Sequence, residues 1–156
     1  MSKKEIKEIY EIIRNKYKLP DFKELNEEFD IGKIEFNADT VLRDIRKAMM
    51  SKLSSSLQLI ELLLNPTNGS MFNMLLTRNI ESEEKLILEK LFDTLGQIEI
   101  NSYVLDIEYS EKNEAEFIIS KTEEWKIISK EINKTLRKLG DDWKKSNFKK
   151  AKSYFG

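Results

Sequence analysis

The sequence predicts an all-α protein: an antiparallel bundle of three long helices (about 39–64, 81–109 and 113–139), with short helices near the N-terminus and at the C-terminus. Three observations predict it. Helix breakers are scarce, with 2 prolines and 5 glycines in 156 residues. Apolar residues make up 40% of the chain and recur mostly in steps of three and four. The stretch 39–64 (DTVLRDIRKAMMSKLSSSLQLIELLL) begins one-sided and becomes apolar nearly all round. A helix apolar on every side must be covered by several neighbours, which puts this one at the centre. By length the chain reads as one bundle domain over 1–142, followed by a basic, aromatic tail or short helix over 143–156.

The first helix spans Ser2 to Lys18. Ser2 and Glu5 have capping-box spacing, and Ile6, Ile9, Tyr10, Ile13 and Tyr17 make its stripe. Pro20 ends it, because the residue before a proline avoids helical backbone. Asp21 and Glu24 suggest a second box, opening a short helix through Leu25 and Phe29 that closes near Gly32. Residues 31–38 read as an extended connection. The central helix then runs from Asp39 or Thr40 to Asn65-Pro66, with Ser54, Ser55 and Ser56 where another helix crosses closely.

Residues 65–70 (NPTNGS) form a loop. Met71, Phe72, Met74, Leu75 and Leu76 make one or two helical turns that plug the bundle end. The next helix starts between Asn79 and Ser82. Its seam is Leu88, Leu91, Leu95, Ile98, Ser102, Leu105 and Tyr109. Residues 97–109 (QIEINSYVLDIEY) also carry strand-like composition, so a hairpin after Gly96 competes. The seam crosses Gly96 unbroken and favours helix. In the last long helix, capped by Asn113 and Glu116, Ile118, Trp125, Ile132 and Leu139 are spaced by sevens. Gly140 suits a stop and Asp141-Asp142 a new start.

The chain has no cysteine and no histidine. That removes disulfides, thiolate or imidazole zinc sites, histidine acid–base catalysis, and Ser-His or Cys-His pairs. A net charge of -1 argues against bulk electrostatic binding of nucleic acid. The opening MSKKEIKEIY lacks an apolar signal core, and no run reaches membrane-span length. The expected location is cytoplasmic, and no cofactor is implied.

Two stretches could carry chemistry. Residues 99–116 hold Glu99, Asp106, Glu108, Glu111, Glu114 and Glu116 against Lys112. Carboxylates alone can hold Mg²⁺, Mn²⁺ or Ca²⁺, which makes Asp106, Glu108 and Glu111 the weak metal candidates of a hydrolase of phosphate substrates. All-helical nucleotide pyrophosphohydrolases use Glu-x-x-Glu followed by Glu-x-x-Asp. Glu81/Glu84 and Glu108/Glu111 resemble the first half, but no Glu-x-x-Asp follows either of these pairs. The bland reading is a solvated acidic face. Within it Asp106 stands apart, lying among Leu105, Ile107 and Tyr109. Arg43 and Arg46 occupy the matching flank of the central helix, so an Arg–Asp pair setting helix register is expected.

The tail carries Lys144, Lys145, Lys149, Lys150 and Lys152, no acid, and the interleaved aromatics Trp143, Phe148, Tyr154 and Phe155. Lysines neutralise phosphates and aromatics stack on bases, so nucleic acid is one candidate partner. Phe148-x-x-Ala151-x-x-Tyr154-Phe155 resembles a degenerate sliding-clamp-binding peptide of replication proteins. It lacks the leading glutamine, has alanine where a larger aliphatic is usual, and implies nothing for the remaining chain. The plainer expectation is a solubilising tail whose aromatics fold back on the bundle. The function expected overall is a non-catalytic helical interaction or adaptor protein that binds another protein.

Overall fold

In the computed structural model, residues 2–68 and 70–154 are described, with side chains given except at Asn68 and 146–154. Among the described residues all regular structure is helical, with no strand. The α-helices are α1 (Lys3–Tyr17), α2 (Phe22–Phe29), α3 (Val41–Leu64), α4 (Met71–Leu76), α5 (Ser82–Ile107) and α6 (Glu111–Tyr154), and 3₁₀ turns lie at Ile31–Lys33, Pro66–Asn68 and Thr77–Asn79. The all-α bundle is therefore present, and 97–107 is helix rather than hairpin. The chain forms two compact units, Met1–Ser56 with Leu95–Trp125, and Leu57–Thr94 with Lys126–Gly156.

The first unit opens with the Ser2 capping box. The Glu5 N–H donates to Ser2 Oγ, and the Ser2 N–H donates to Glu5 Oε2 at 2.8 Å. Lys18 closes α1 in the left-handed region (φ 57°). The buried Tyr10 hydroxyl donates to the Pro20 carbonyl at 2.5 Å, which fixes the turn into α2. The second expected capping box does not form: Asp21 makes no side-chain cap and instead meets Arg14 Nη2 at 2.5 Å. A cation from the preceding helix outcompetes the local backbone donor. The Gly32 N–H donates to Asn26 Oδ1 at 2.7 Å, and a Cβ there would lie 2.8 Å from that oxygen, so a larger residue would push the Asn26 side chain aside and disturb this bond.

Val41, Leu42, Ile45, Met49 and Leu53 of α3 are buried, along with Leu95, Ile98 and Leu105 of α5 and Ala115, Phe117, Ile118 and Trp125 of α6. On α3 and α5 the main rows follow steps of three, four and seven, and on α6 Ala115, Ile118 and Trp125 do the same with Phe117 beside them. Lys16 Nζ and the Tyr17 hydroxyl both donate to Glu111 Oε1, at 3.1 and 2.8 Å, and tie α1 to the start of α6.

In the second unit, Ile60, Leu63, Leu88, Leu91, Ile128 and Leu139 are buried, whereas Leu57 and Ile132 are only half-buried. Lys138 pairs with Glu84 and, at 3.6 Å, with Glu81. That environment raises the Lys138 pKa, chiefly through the hydrogen bond to Glu84. Met71, Phe72 and Met74 do not plug the core. They are exposed, because this helix of six residues turns Asn73, Leu75 and Leu76 partly inward instead.

The last long helix departs from expectation at both ends. It starts at Glu111 because Ser110 Oγ accepts the Asn113 N–H, so Asn113 is not the cap. It also does not stop at Gly140 but continues as one helix of 44 residues to Tyr154, so among the described residues the expected short C-terminal helix is the end of α6. A glycine stops a helix by adopting left-handed backbone, which Gly140 does not do. Within a continuing helix it costs only about 1 kcal/mol.

Candidate functional site

The polar centre of the first unit is Arg46, in the middle of the apolar face of α3 and 1% exposed. Its Nε donates to Glu114 Oε2 on α6 at 2.6 Å, and its Nη2 donates to Asp106 Oδ1 on α5 at 2.7 Å. Its Nη1 donates to the Ser102 hydroxyl at 2.6 Å and to the Ser102 carbonyl at 3.1 Å. Burial alone would lower the Arg46 pKa, but the bonds to Glu114 and Asp106 outweigh it and hold the value above normal. The expected Arg–Asp pair is thus present. Arg43 takes a different partner: its Nη2 donates to the Asp106 carbonyl at 2.9 Å, and its guanidinium lies 5.7 Å from the Tyr109 ring centre.

Glu114, with 0% exposure, is the residue that the sequence reading missed by counting it in a solvated acidic face. The signal was register. Glu114, Ile118, Thr122 and Trp125 follow steps of four, four and three on one buried face of α6. Glu114 neutralises Arg46 in the interior, while the Asp106 side chain stays 45% exposed and leaves its charge at the surface.

The weak metal candidates do not converge. Asp106 turns to Arg46, Glu111 accepts from Tyr17 and Lys16, and Glu108 is exposed. Among the described residues no three Asp or Glu side chains are placed to share an ion. Ser54 of the serine triplet donates to Glu99 Oε2 at 2.7 Å where α3 meets α5. Ser55 and Ser56 bond to backbone carbonyls one turn back.

In the tail, the Trp143 ring packs 5.2 Å from Phe72, while Lys144 and Lys145 are exposed. The side chains of Phe148, Lys149, Lys150, Lys152, Tyr154 and Phe155 lie outside the described residues, as does the clamp-like pattern they form.

The unusual surface is on α5. Its inward face in this unit is Leu95, Ile98, Ser102 and Leu105, all buried. On the opposite side lie Ile100 (55% exposed), Tyr103 (58%), Val104 (50%) and Ile107 (84%). Their spacing of i, i+3, i+4 and i+7 makes one continuous apolar strip. Beside it, a shallow cavity of about 290 Å³, wide open to solvent between α5 and α6, has Val104, Leu105, Phe117, Asn101, Glu116 and Lys121 among its lining residues.

At 100° per residue, Glu99 and Asp106 flank the strip on one side and Glu108 on the other. No lysine or arginine occurs from Leu91 to Glu111, a stretch holding Asp93, Glu99, Asp106, Glu108 and Glu111. The Tyr103 hydroxyl donates to Glu99 Oε1 at 3.1 Å. The result is an apolar strip with an acidic rim. Its residues were visible in the sequence, but their apolar character reads there as strand tendency. Only the helix shows that two apolar faces point opposite ways.

No family model matches this chain, and no curated protein or solved structure matches it significantly.

Proposed function

We propose that this chain is a non-catalytic interaction protein that docks a partner protein on the outward face of α5. The observation that carries the reading is the exposed strip Ile100, Tyr103, Val104 and Ile107. Scattered surface apolar residues are ordinary, but a contiguous strip with a polar rim marks a binding surface. The inward seam already supplies this unit's core, so the fold does not need these four side chains. The dispersal of Asp106, Glu108 and Glu111 lends no support to a carboxylate-metal hydrolase.

A photo-crosslinking residue placed at Val104, with the same residue at exposed Lys47 on α3 as control, tests the proposal. The protein joined at Val104 and not at Lys47 is then purified and titrated against the free chain. Binding that falls about tenfold or more in the V104Q/I107Q variant supports the reading. Equal labelling at the two positions, or unchanged affinity, refutes it.

A further inference from the structure

We infer that the occupant of the α5 face is a cationic amphipathic helix: an apolar stripe flanked by lysine or arginine. This rests on the reading of that face as a docking surface and adds the chemistry of what docks.

The backbone decides the form of the partner. Among the described residues there is no strand, so no sheet edge is available to pair an extended peptide by main-chain hydrogen bonds. What α5 offers is a ridge of side chains on two helical turns beside a cavity between α5 and α6. A second helix fills that shape, laying its own i, i+3, i+4 row against the ridge and one side chain into the cavity.

Charge decides the sign of the partner. Glu99, Asp106 and Glu108 rim the strip, and α5 carries no basic residue beyond Lys90. The buried Arg46 is neutralised by Glu114, and Arg43, bonded to the Asp106 carbonyl, offsets charge only at the Asp106 edge, so Glu99 and Glu108 carry the acidic character of the rim. A second copy docking α5 against α5 would form a self-complementary interface and set acids against acids. Like charges placed together across an interface oppose binding, whereas a lysine-rimmed helix meets every one of these carboxylates with an opposite charge. Lys121, at the cavity edge, is held by Glu124 at 2.8 Å and leaves that balance in place.

The test uses the full chain and two synthetic amidated helical peptides of about four turns, both with one leucine stripe. One has lysine at the remaining positions and the other glutamate. Binding is followed by calorimetry and by backbone amide shifts at physiological salt. The lysine peptide should bind at least about tenfold more tightly than the glutamate peptide. Shifts should centre on residues 97–108 and the α6 side of the cavity. V104Q/I107Q keeps every charge and should weaken binding about tenfold, and Glu108→Gln should weaken it severalfold.

Equal binding of the two peptides, both lost in V104Q/I107Q, would overturn the cationic inference and leave the docking face standing. So would dimerisation of the chain that V104Q/I107Q abolishes, with a second copy then the occupant. Lysine-peptide binding that V104Q/I107Q does not weaken would overturn the inference by showing attraction to charge alone. Absence of lysine-peptide binding would also overturn it, with the docking face judged separately by crosslinking at Val104.

Discussion

Arg46 Nε and Glu114 Oε2 stand 2.6 Å apart across α3 and α6, and neither side chain is more than 1% exposed. Removing one member of such a pair strands the other charge in the interior. Arg46→Met should therefore destabilise the protein by about 3–5 kcal/mol in urea unfolding. Arg46→Met combined with Glu114→Met should recover much of that loss, because no uncompensated charge remains. Glu114→Gln should cost less than Arg46→Met, since Arg46 keeps Asp106 and Ser102. A loss below about 1 kcal/mol for Arg46→Met would show that the pair is not desolvated.

The Arg46–Asp106 contact was legible in the sequence because Asp106 sits in an apolar run opposite two arginines. Glu114 was not, because Lys112, Asn113 and Glu116 around it are polar and only Ala115 beside it is apolar. Its burial follows from the register of α6, and its partner lies far away along the chain.

Trp125 is buried, with the Phe29 ring centre 6.1 Å away and Lys52 Nζ 5.6 Å from its own ring. Trp125→Ala should cost about 3–5 kcal/mol. Trp125 Nε1 is buried without a hydrogen-bond partner, so Trp125→Phe removes an unsatisfied donor along with part of the ring. Its cost should stay below about 1.5 kcal/mol. Equal losses for the two variants would mean that indole packing, not the buried N–H, sets the balance.

Gly96 and Gly140 both lie inside helices, and a Cβ at either meets nothing within 4 Å. Gly96→Ala and Gly140→Ala should each stabilise the protein by about 0.4–1 kcal/mol. Destabilisation at Gly140 would show that α6 breaks there. The glycine followed by Asp141-Asp142 reads as a stop signal because such signals are local. Continuation of α6 depends on Leu139 being buried and on backbone that stays right-handed, and neither is visible in that tripeptide.

Glu111 accepts hydrogen bonds from Tyr17 and then Lys16, which together hold its pKa below the ordinary carboxylate value. A carboxylate with a lowered folded-state pKa adds stability that is present above the unfolded value and lost as pH falls through the folded one. NMR titration should place the Glu111 midpoint below that of a free glutamate, and Tyr17→Phe should raise it. A midpoint at the ordinary value would mean that α1 is not held to α6 through Glu111.

The helices and their inward seams were legible because periodicity reports burial directly. Which apolar residues stay outside was not, since Ile100 and Ile98 have the same chemistry and differ only in the direction they point. Ile98→Gln should therefore destabilise strongly, whereas V104Q/I107Q should change unfolding by no more than about 0.5 kcal/mol.

The affinity of V104Q/I107Q for the partner captured at Val104 tests the central claim most directly. The docking account predicts a loss of about tenfold or more, with urea unfolding unchanged. Wild-type affinity in a fully folded V104Q/I107Q protein would contradict it.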